Sequence, residues 1–347
     1  MVSGHRSRSD VPDHDELLAL AEVAQQYYLE DLTQEQIARR RSVSRSNVSR
    51  MLKVARERGV VEIRVHHPLR TLPEMQDQLK GELGLHDCFV LAEPSGVTGG
   101  NAPRVIARQI GALGARYLQE NLPEKCVIGV GWGTTVYQVV SSGYLQKNIG
   151  SAVVQLMGSV GGATPDIDGA QIASHLGSLL GSRVYYLHAP MVVTDAGVRR
   201  GLLRDQHIRK TFEMARQVDA LIVSVGAVSE ASGLFRAGYL NDADLDYIRG
   251  QGAVGDICGS YYKQDGTLCA LELDERMVAA LPDVMRRAPL RVGVGWGTAK
   301  ALPSLGAIRA GMINVLITDE ASAREMLQII DREQLDRQAT ALTASAK

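Results

Sequence analysis

At 347 residues the chain has the length for about two domains and for a large buried core. Its apolar content of 45% and charged content of 22% describe an ordinary globular protein, and no apolar run approaches the ~20 residues a membrane span requires. The four cysteines (Cys88, Cys126, Cys258, Cys269) form no Cys-x-x-Cys pair, which argues against a zinc or redox motif and fits reduced, buried thiols in a cytoplasmic protein. Met1 to Asp13 is polar, so no signal peptide is expected.

The net charge of −1 hides an asymmetry. Residues 31–70 carry ten basic residues (Arg39, Arg40, Arg41, Arg45, Arg50, Lys53, Arg56, Arg58, Arg64, Arg70) against Asp31, Glu35, Glu57 and Glu62, a local charge of 10 − 4 = +6. The remainder of the chain is therefore −7, and a polyanion partner is expected at one end only.

Residues 1–13 read as a disordered tail. Asp15 to Glu30 is helix-periodic, with Leu17, Leu20, Ala21, Ala24 and Tyr28 on one side. Thr33-Gln-Glu-Gln36 has the form of a capping box and starts a second helix through Arg41, with Ile37 and Ala38 turned inward. Ser44 can cap a third helix, Arg45 to Arg58, stopped by Gly59. On that helix Val48, Met51, Leu52 and Ala55 share one sector, while Arg45, Ser46, Ser49, Arg50, Lys53 and Arg56 share the opposite one, with Asn47 at the sector edge. One face packs and the other offers cations and hydrogen-bonding groups, the chemistry that grips phosphate and reads base edges. A helix-turn-helix on double-stranded DNA is expected, a merely solvated charged face being the alternative. Val60-Val-Glu-Ile-Arg-Val65 alternates as a strand would, so the module, placed at residues 14–66, should be winged.

His66-His67-Pro68 and Pro73 mark a linker, and no further ligand stands at metal-binding spacing from the two histidines. Helices are expected over Met75 to Leu83 and Arg104 to Glu120. From there to the end of the 67–347 region, strand candidates (Val127–Gly131, Ala152–Met157, Arg183–His188, Ala220–Val225, Thr267–Leu273, Arg291–Val294, Ile313–Thr318) alternate with helical patterns (Val136–Leu145, Ala170–Leu180, Val198–Val218, Leu240–Gly250, Ala299–Ala310). Buried β-runs alternating with helices predict a doubly wound α/β sheet, with ligands outside the carboxyl ends of its strands.

The sequence Gly129-Val-Gly-Trp-Gly-Thr-Thr135 returns as Gly293-Val-Gly-Trp-Gly-Thr298, each copy between an apolar run and a helical pattern. A strand running through a glycine turn into a helix points free N–H groups at the turn and favours an anion there, although tight β-to-α connections alone would also call for glycine. Gly131, Gly133, Thr134, Thr135 and Lys300 are candidates for holding a phosphorylated, sugar-like ligand. Asp256, a lone acid within Gly255-Asp-Ile-Cys-Gly259, is a candidate acceptor for sugar hydroxyls. Met157-Gly-Ser-Val-Gly-Gly162 offers a second anion-facing turn or a simple connection, and Asp166 or Asp168 is read foremost as a cap for the helix that follows.

These motifs, with Ser44-Arg-Ser-Asn-Val-Ser-Arg-Met-Leu52, Gly-Trp-Gly-Thr-Ala-Lys300 and the closing Ala307-Ile-Arg-Ala-Gly-Met-Ile-Asn-Val-Leu-Ile-Thr-Asp-Glu320, resemble the SorC family of sugar-binding transcriptional regulators over nearly the whole chain. The resemblance implies an effector domain on the fold of glucosamine-6-phosphate deaminase and ribose-5-phosphate isomerase without their catalysis. It also implies dimers or tetramers on operator DNA and a phosphorylated sugar or related polyol as effector. By the same motifs Gly131, Gly133, Thr134 and Thr135 would cradle phosphate, Lys300 would neutralise it and Asp256 would hold hydroxyls. Gly158-Ser159 stands where some relatives place an arginine, which favours a monophosphate or a neutral polyol. Arg41 departs from the small residue common in such helix-turn-helix turns. A sugar-phosphate isomerase or deaminase on the same fold is the alternative. No cofactor is expected: the glycine loops lack the third glycine of a dinucleotide site, and Gln155 stands where an acid would meet the ribose.

Overall fold

The computed structural model describes residues 14–61, 69–94, 99–146, 152–161 and 167–345. The chain divides into two compact units, residues 1–67 and 68–347. In the first, α1 (His14–Tyr28), α2 (Gln34–Arg41) and α3 (Arg45–Glu57) close around Val23, Ala24, Ile37, Ala38, Val48 and Leu52. The boundaries follow local chemistry. The Thr33 hydroxyl accepts from Gln36 N–H and the Gln36 carboxamide accepts from Thr33 N–H, completing the capping box. Ser42 takes the left-handed conformation that ends α2 (φ 56°), and the Ser44 hydroxyl accepts from Asn47 N–H to open α3. Arg41 is no obstacle to this turn, because it is the last helical residue and pairs with Glu22. The wing expected over Val60 to Val65 falls mainly outside the described residues, as do both linker histidines.

The second unit runs α4 (Pro73–Leu83), β1 (Asp87–Leu91), α5 (Ala102–Asn121), β2 (Val127–Val130), α6 (Thr134–Val140), β3 (Ala152–Gln155), α7 (Gly169–Leu180) and β4 (Arg183–Tyr185). It continues through α8 (Ala196–Leu202), α9 (Gln206–Ala215), β5 (Ala220–Ser224), β6 (Gly226–Ala227), α10 (Gly233–Arg236), α11 (Asp242–Gly250), β7 (Ala253–Ile257) and β8 (Ser260–Lys263). The last elements are α12 (Pro282–Arg287), β9 (Leu290–Val294), α13 (Ala301–Arg309), β10 (Val315–Asp319) and α14 (Glu320–Ser345). Seven strands form one parallel sheet in the order β1-β10-β9-β5-β2-β3-β4, and β6, β7 and β8 form a small antiparallel sheet. From β2 the chain moves outward to β3 and β4. It then crosses back to β5 on the other side of β2 and continues outward to β9 and β10. The direction of winding therefore reverses between β2 and β5, which opens a crevice at their carboxyl ends. Helices on both faces seal the apolar strands into two core clusters. Among the described residues no helix is long and apolar enough to cross a membrane.

Several elements differ from the sequence expectation, among them α12 and α14, which it did not foresee. Thr267 to Leu273 is not a strand: the Asp265-Gly266 turn (Gly266 φ 87°) folds it back on β8, where it makes one bridge and then a 3-10 turn over Glu272–Arg276. The real strands nearby, β7 and β8, are short and broken by Gly255 and Gly259, which blurred their alternation. Val198 to Val218 splits because Asp205 accepts from His207 and Ile208 N–H and so starts a new helix, α9. β1 has little alternation to betray it, since four of its five residues are apolar.

Two glycines of α5 set the seat of α6, the helix behind the first glycine loop. A Cβ on Gly111 would lie 2.6 Å from the backbone of Gln138, and one on Gly114 2.9 Å from Val139. Gly111→Ala should therefore cost about 1–3 kcal/mol by prising α5 from α6. Gly81→Ala, where a Cβ meets nothing within 4 Å, should stabilise by about 0.5–1 kcal/mol through helix propensity. Urea unfolding of the two variants checks the opposite signs.

Candidate functional site

A cleft of about 310 Å³ lies at the carboxyl ends of β2, β5 and β9, across the reversal of winding. The first glycine loop and the start of α6 supply Trp132, Gly133, Thr134 and Thr135, and the end of β5 supplies Ser224 to Gly226. The β7–β8 hairpin adds Asp256, Cys258 and Tyr261; α10 and the residues before it add Ser232, Gly233 and Arg236; the second glycine loop adds Trp296 and Lys300. The two loops, far apart in sequence, thus face a single cavity.

Glycine is required where these elements cross. A side chain on Gly133 (φ 154°) would collide with Ser224, one on Gly226 with the Asp256 carboxylate, and one on Gly233 with the Trp132 ring. α6 begins without a side-chain cap, so its first amides are left to whatever occupies the cleft. The Ser224 hydroxyl is buried and has no hydrogen-bond partner among the described residues.

The charges are arranged under strain. Burial holds the Asp256 carboxyl above the usual aspartate range, opposed by a hydrogen bond from Gly259 N–H (3.1 Å) and by the charge of Lys300. Burial likewise pushes the Lys300 ammonium down, with Asp256 opposing the shift and the like charge of Arg236 adding to it. Among the described residues neither Lys300 nor Arg236 makes an ion pair. A cation desolvated without a direct counter-ion is a ready partner for an anion.

Gly133, Thr134, Thr135, Asp256 and Lys300 thus come together, while Gly131 and Asp168 are placed otherwise than expected. Gly131 does not line the cleft: its N–H is spent on the Ile222 carbonyl at 2.9 Å, and its bare Cα lets Cys258 and Val223 approach. In the turn after β3, the second of the two readings, a simple connection, holds for the amides of 158–160: Gly158 N–H donates to the Val278 carbonyl, Ser159 N–H to the Ala189 carbonyl and Val160 N–H to the Asp168 carboxylate. Asp168 occupies the position before α7, yet its carboxylate accepts from the Ser159 hydroxyl at 3.0 Å and makes no cap; Asp166 lies outside the described residues. Gln155 is structural, bonded to the Met157 carbonyl and Leu187 N–H. Sequence reasoning missed Arg236, Ser224 and the tryptophans as lining residues. The two tryptophans sit inside the repeated motif and so carried a signal; Arg236, on a four-residue helix, carried none.

In the first unit, Val48, Leu52 and Ala55 of α3 are buried while Arg45, Ser46, Ser49, Arg50 and Lys53 are exposed. Asn47 is partly buried and its side-chain amide oxygen accepts from the Arg50 guanidinium at 3.4 Å. Arg39, Arg40, Arg41 and Arg58 pair with Glu35, Glu30, Glu22 and Glu16. Lys53 reaches Glu57 at 3.8 Å, whereas Arg45 and Arg50 have no acidic partner among the described residues. The module's unneutralised charge is thereby gathered on the outer face of α3.

Residues 67–328 match the family described as "Putative sugar-binding domain", and residues 9–68 match the MarR family. The chain is 31% identical to the deoxyribonucleoside regulator of Bacillus subtilis, over 88% of this chain and 96% of that protein. It is 30% identical to the transcriptional regulator LsrR of Klebsiella pneumoniae subsp. pneumoniae, over 89% and 93%. Among solved structures, the full-length sorbitol operon regulator SorC of Klebsiella pneumoniae shares the fold with a TM-score of 0.67 at 24% identity, over 90% of this chain and 99% of that one. The sugar-binding domain of a Vibrio fischeri transcriptional repressor superposes with a TM-score of 0.66 at 25% identity, over 75% and 100%.

Both tryptophans of the chain line the cleft, so tryptophan emission, excited selectively over tyrosine, reports on that place alone. A compound that fills the cleft should shift the emission and protect it from acrylamide quenching. A compound that binds by calorimetry and leaves both unchanged would occupy some other site.

Proposed function

The chain belongs to the SorC family of sugar-binding transcriptional regulators, and on that premise we propose that a phosphorylated sugar or related polyol in this cleft controls how its helix-turn-helix holds operator DNA. It is a DNA-binding regulator of transcription and not an enzyme. The isomerase or deaminase alternative draws no support from relatives that are named as regulators.

The observation that carries the effector reading is the meeting of Lys300, Arg236 and the uncapped start of α6 in one cleft with a single acid, Asp256. A phosphate set at Thr134 and Thr135 would receive N–H bonds from the helix start and neutralise Lys300, which otherwise remains desolvated without a direct counter-ion. The Asp256 carboxylate, with Gly259 N–H on one oxygen, has its other oxygen to accept from a hydroxyl of the sugar. Arg45, Ser46, Asn47, Ser49, Arg50 and Lys53 carry the DNA contact, the arginines gripping phosphate or guanine and Asn47 suited to adenine. The working form is a homo-oligomer, dimer or tetramer, on paired half-sites. An effector alters DNA affinity by binding one arrangement of the recognition helices better than the other.

Two measurements test this. In gel shifts with the DNA upstream of the coding sequence, Arg50→Ala and Arg45→Ala should each weaken specific binding by roughly ten-fold or more and lower the salt slope by about one; unchanged binding would remove α3 from the interface. In thermal shifts against a panel of sugar phosphates, the stabilisation seen with the full chain should vanish in Lys300→Ala, and a retained shift would take Lys300 out of the site.

A further inference from the structure

We propose that the cleft selects its effector in ring form, a furanose or pyranose monophosphate whose C–H face lies against the tryptophans, over the open-chain sugar phosphate of the same composition. The proposal rests on the effector reading of the cleft and concerns the two side chains that reading leaves unused.

Trp132 and Trp296 stand at the same place in the two glycine loops, after β2 and after β9. One strand, β5, separates β2 from β9, so the two loops rise two strand spacings apart, about 10 Å between backbones. Both rings are partly buried and both line the cavity. Trp132 is fixed at two ends: its indole N–H donates to the Ile167 carbonyl, and its far edge packs so closely on Gly233 that no side chain fits there. A rigid aromatic wall loses little entropy on contact with a ligand and offers area without hydrogen bonds.

A chain with hydroxyls on every carbon cannot cover such a wall without stranding polar groups against it. A sugar ring can, because one of its faces presents C–H groups while its hydroxyls point outward around the rim. The lining of this cleft holds the matching acceptors and donors: the buried Asp256 carboxylate, the Ser224 hydroxyl, which has no partner among the described residues, and Lys300 and Arg236 for the phosphate. A nucleobase would also stack on tryptophan. A base seated at these walls would instead set its polar edge against Asp256, Lys300 and Arg236, groups suited to hydroxyls and phosphate.

The test is calorimetric titration of the full chain with matched pairs: 1,5-anhydroglucitol 6-phosphate against glucitol 6-phosphate, and 1,4-anhydroribitol 5-phosphate against ribitol 5-phosphate, with thymidine 5′-phosphate as a third arm. At least one ring-locked compound should bind about ten-fold or more tightly than its open-chain partner. Trp132→Ala and Trp296→Ala should erode that preference, while Trp132→Phe and Trp296→Phe keep it. Equal or tighter binding of the open-chain member in both pairs would overturn the ring proposal and leave the effector reading standing. Tighter binding of thymidine 5′-phosphate, or an undiminished preference in both alanine variants, would overturn it as well. Failure of every phosphate to bind would bring down the effector reading and the ring proposal with it.

Discussion

The close approach of the first glycine loop to the end of β5 is the constraint on which the rest of the second unit depends. Gly131 sits where a side chain would press on Val223 and Cys258, and Gly133 where one would strike Ser224. Because both lack a Cβ, the chain leaving β2 can lean across the reversal of winding and begin α6 directly above it. The same economy repeats around the cleft. Gly226 lets the β7–β8 hairpin bring Asp256 in, and Gly233 lets α10 settle on Trp132. Function at this place is therefore a consequence of where side chains are missing: four backbones converge, and the residues between the glycines are thrust into the space they leave.

That convergence has an electrostatic cost. Asp256 and Lys300 are both desolvated, and burial moves each toward its neutral form. Each charge opposes the other's shift, yet they do not close to an ion pair among the described residues, and Arg236 adds a like charge beside Lys300. A fold selected for stability alone would exchange such groups for apolar ones of similar volume. Arg309 of the same unit, by contrast, is satisfied by direct contact: it pairs with Glu333 and donates to the Gln264 carbonyl. In the cleft the two charges stay apart, the arrangement that an anionic, hydroxylated ligand would complement.

Much of this was legible in the sequence, for reasons that differ by element. The capping box at Thr33, the cap at Ser44 and the two-sided α3 depend on neighbours within a few residues, so local pattern sufficed. The parallel strands showed as apolar runs because both their faces are covered, and the repeated motif gave Thr134, Thr135 and Lys300 directly. What escaped is what depends on long-range packing. Gly131 looked like its neighbour Gly133, and only the pairing of β2 with β5 shows that its amide is taken by Ile222. Asp168 had the form of a cap, and only the fold of the turn after β3 shows Ser159 and Val160 claiming it. Arg236 became part of the cleft because β6, two residues long, pairs with β7 and carries α10 over the opening.

The first unit solves the opposite problem, keeping charge where the second confines it. Four of its arginines lie close to acids of α1, α2 and the turn between them, and each is neutralised at the surface, where a single pair is worth about 0–1 kcal/mol. Such pairs add little stability, but they decide the shape of the field. With Arg39, Arg40, Arg41 and Arg58 occupied, the cations of α3 left without an acid among the described residues are Arg45 and Arg50, beside the hydroxyls of Ser46 and Ser49, and Arg56. A nonspecific basic surface would attract DNA in any orientation. Confining the unpaired cations to one face of one helix makes the electrostatic attraction directional.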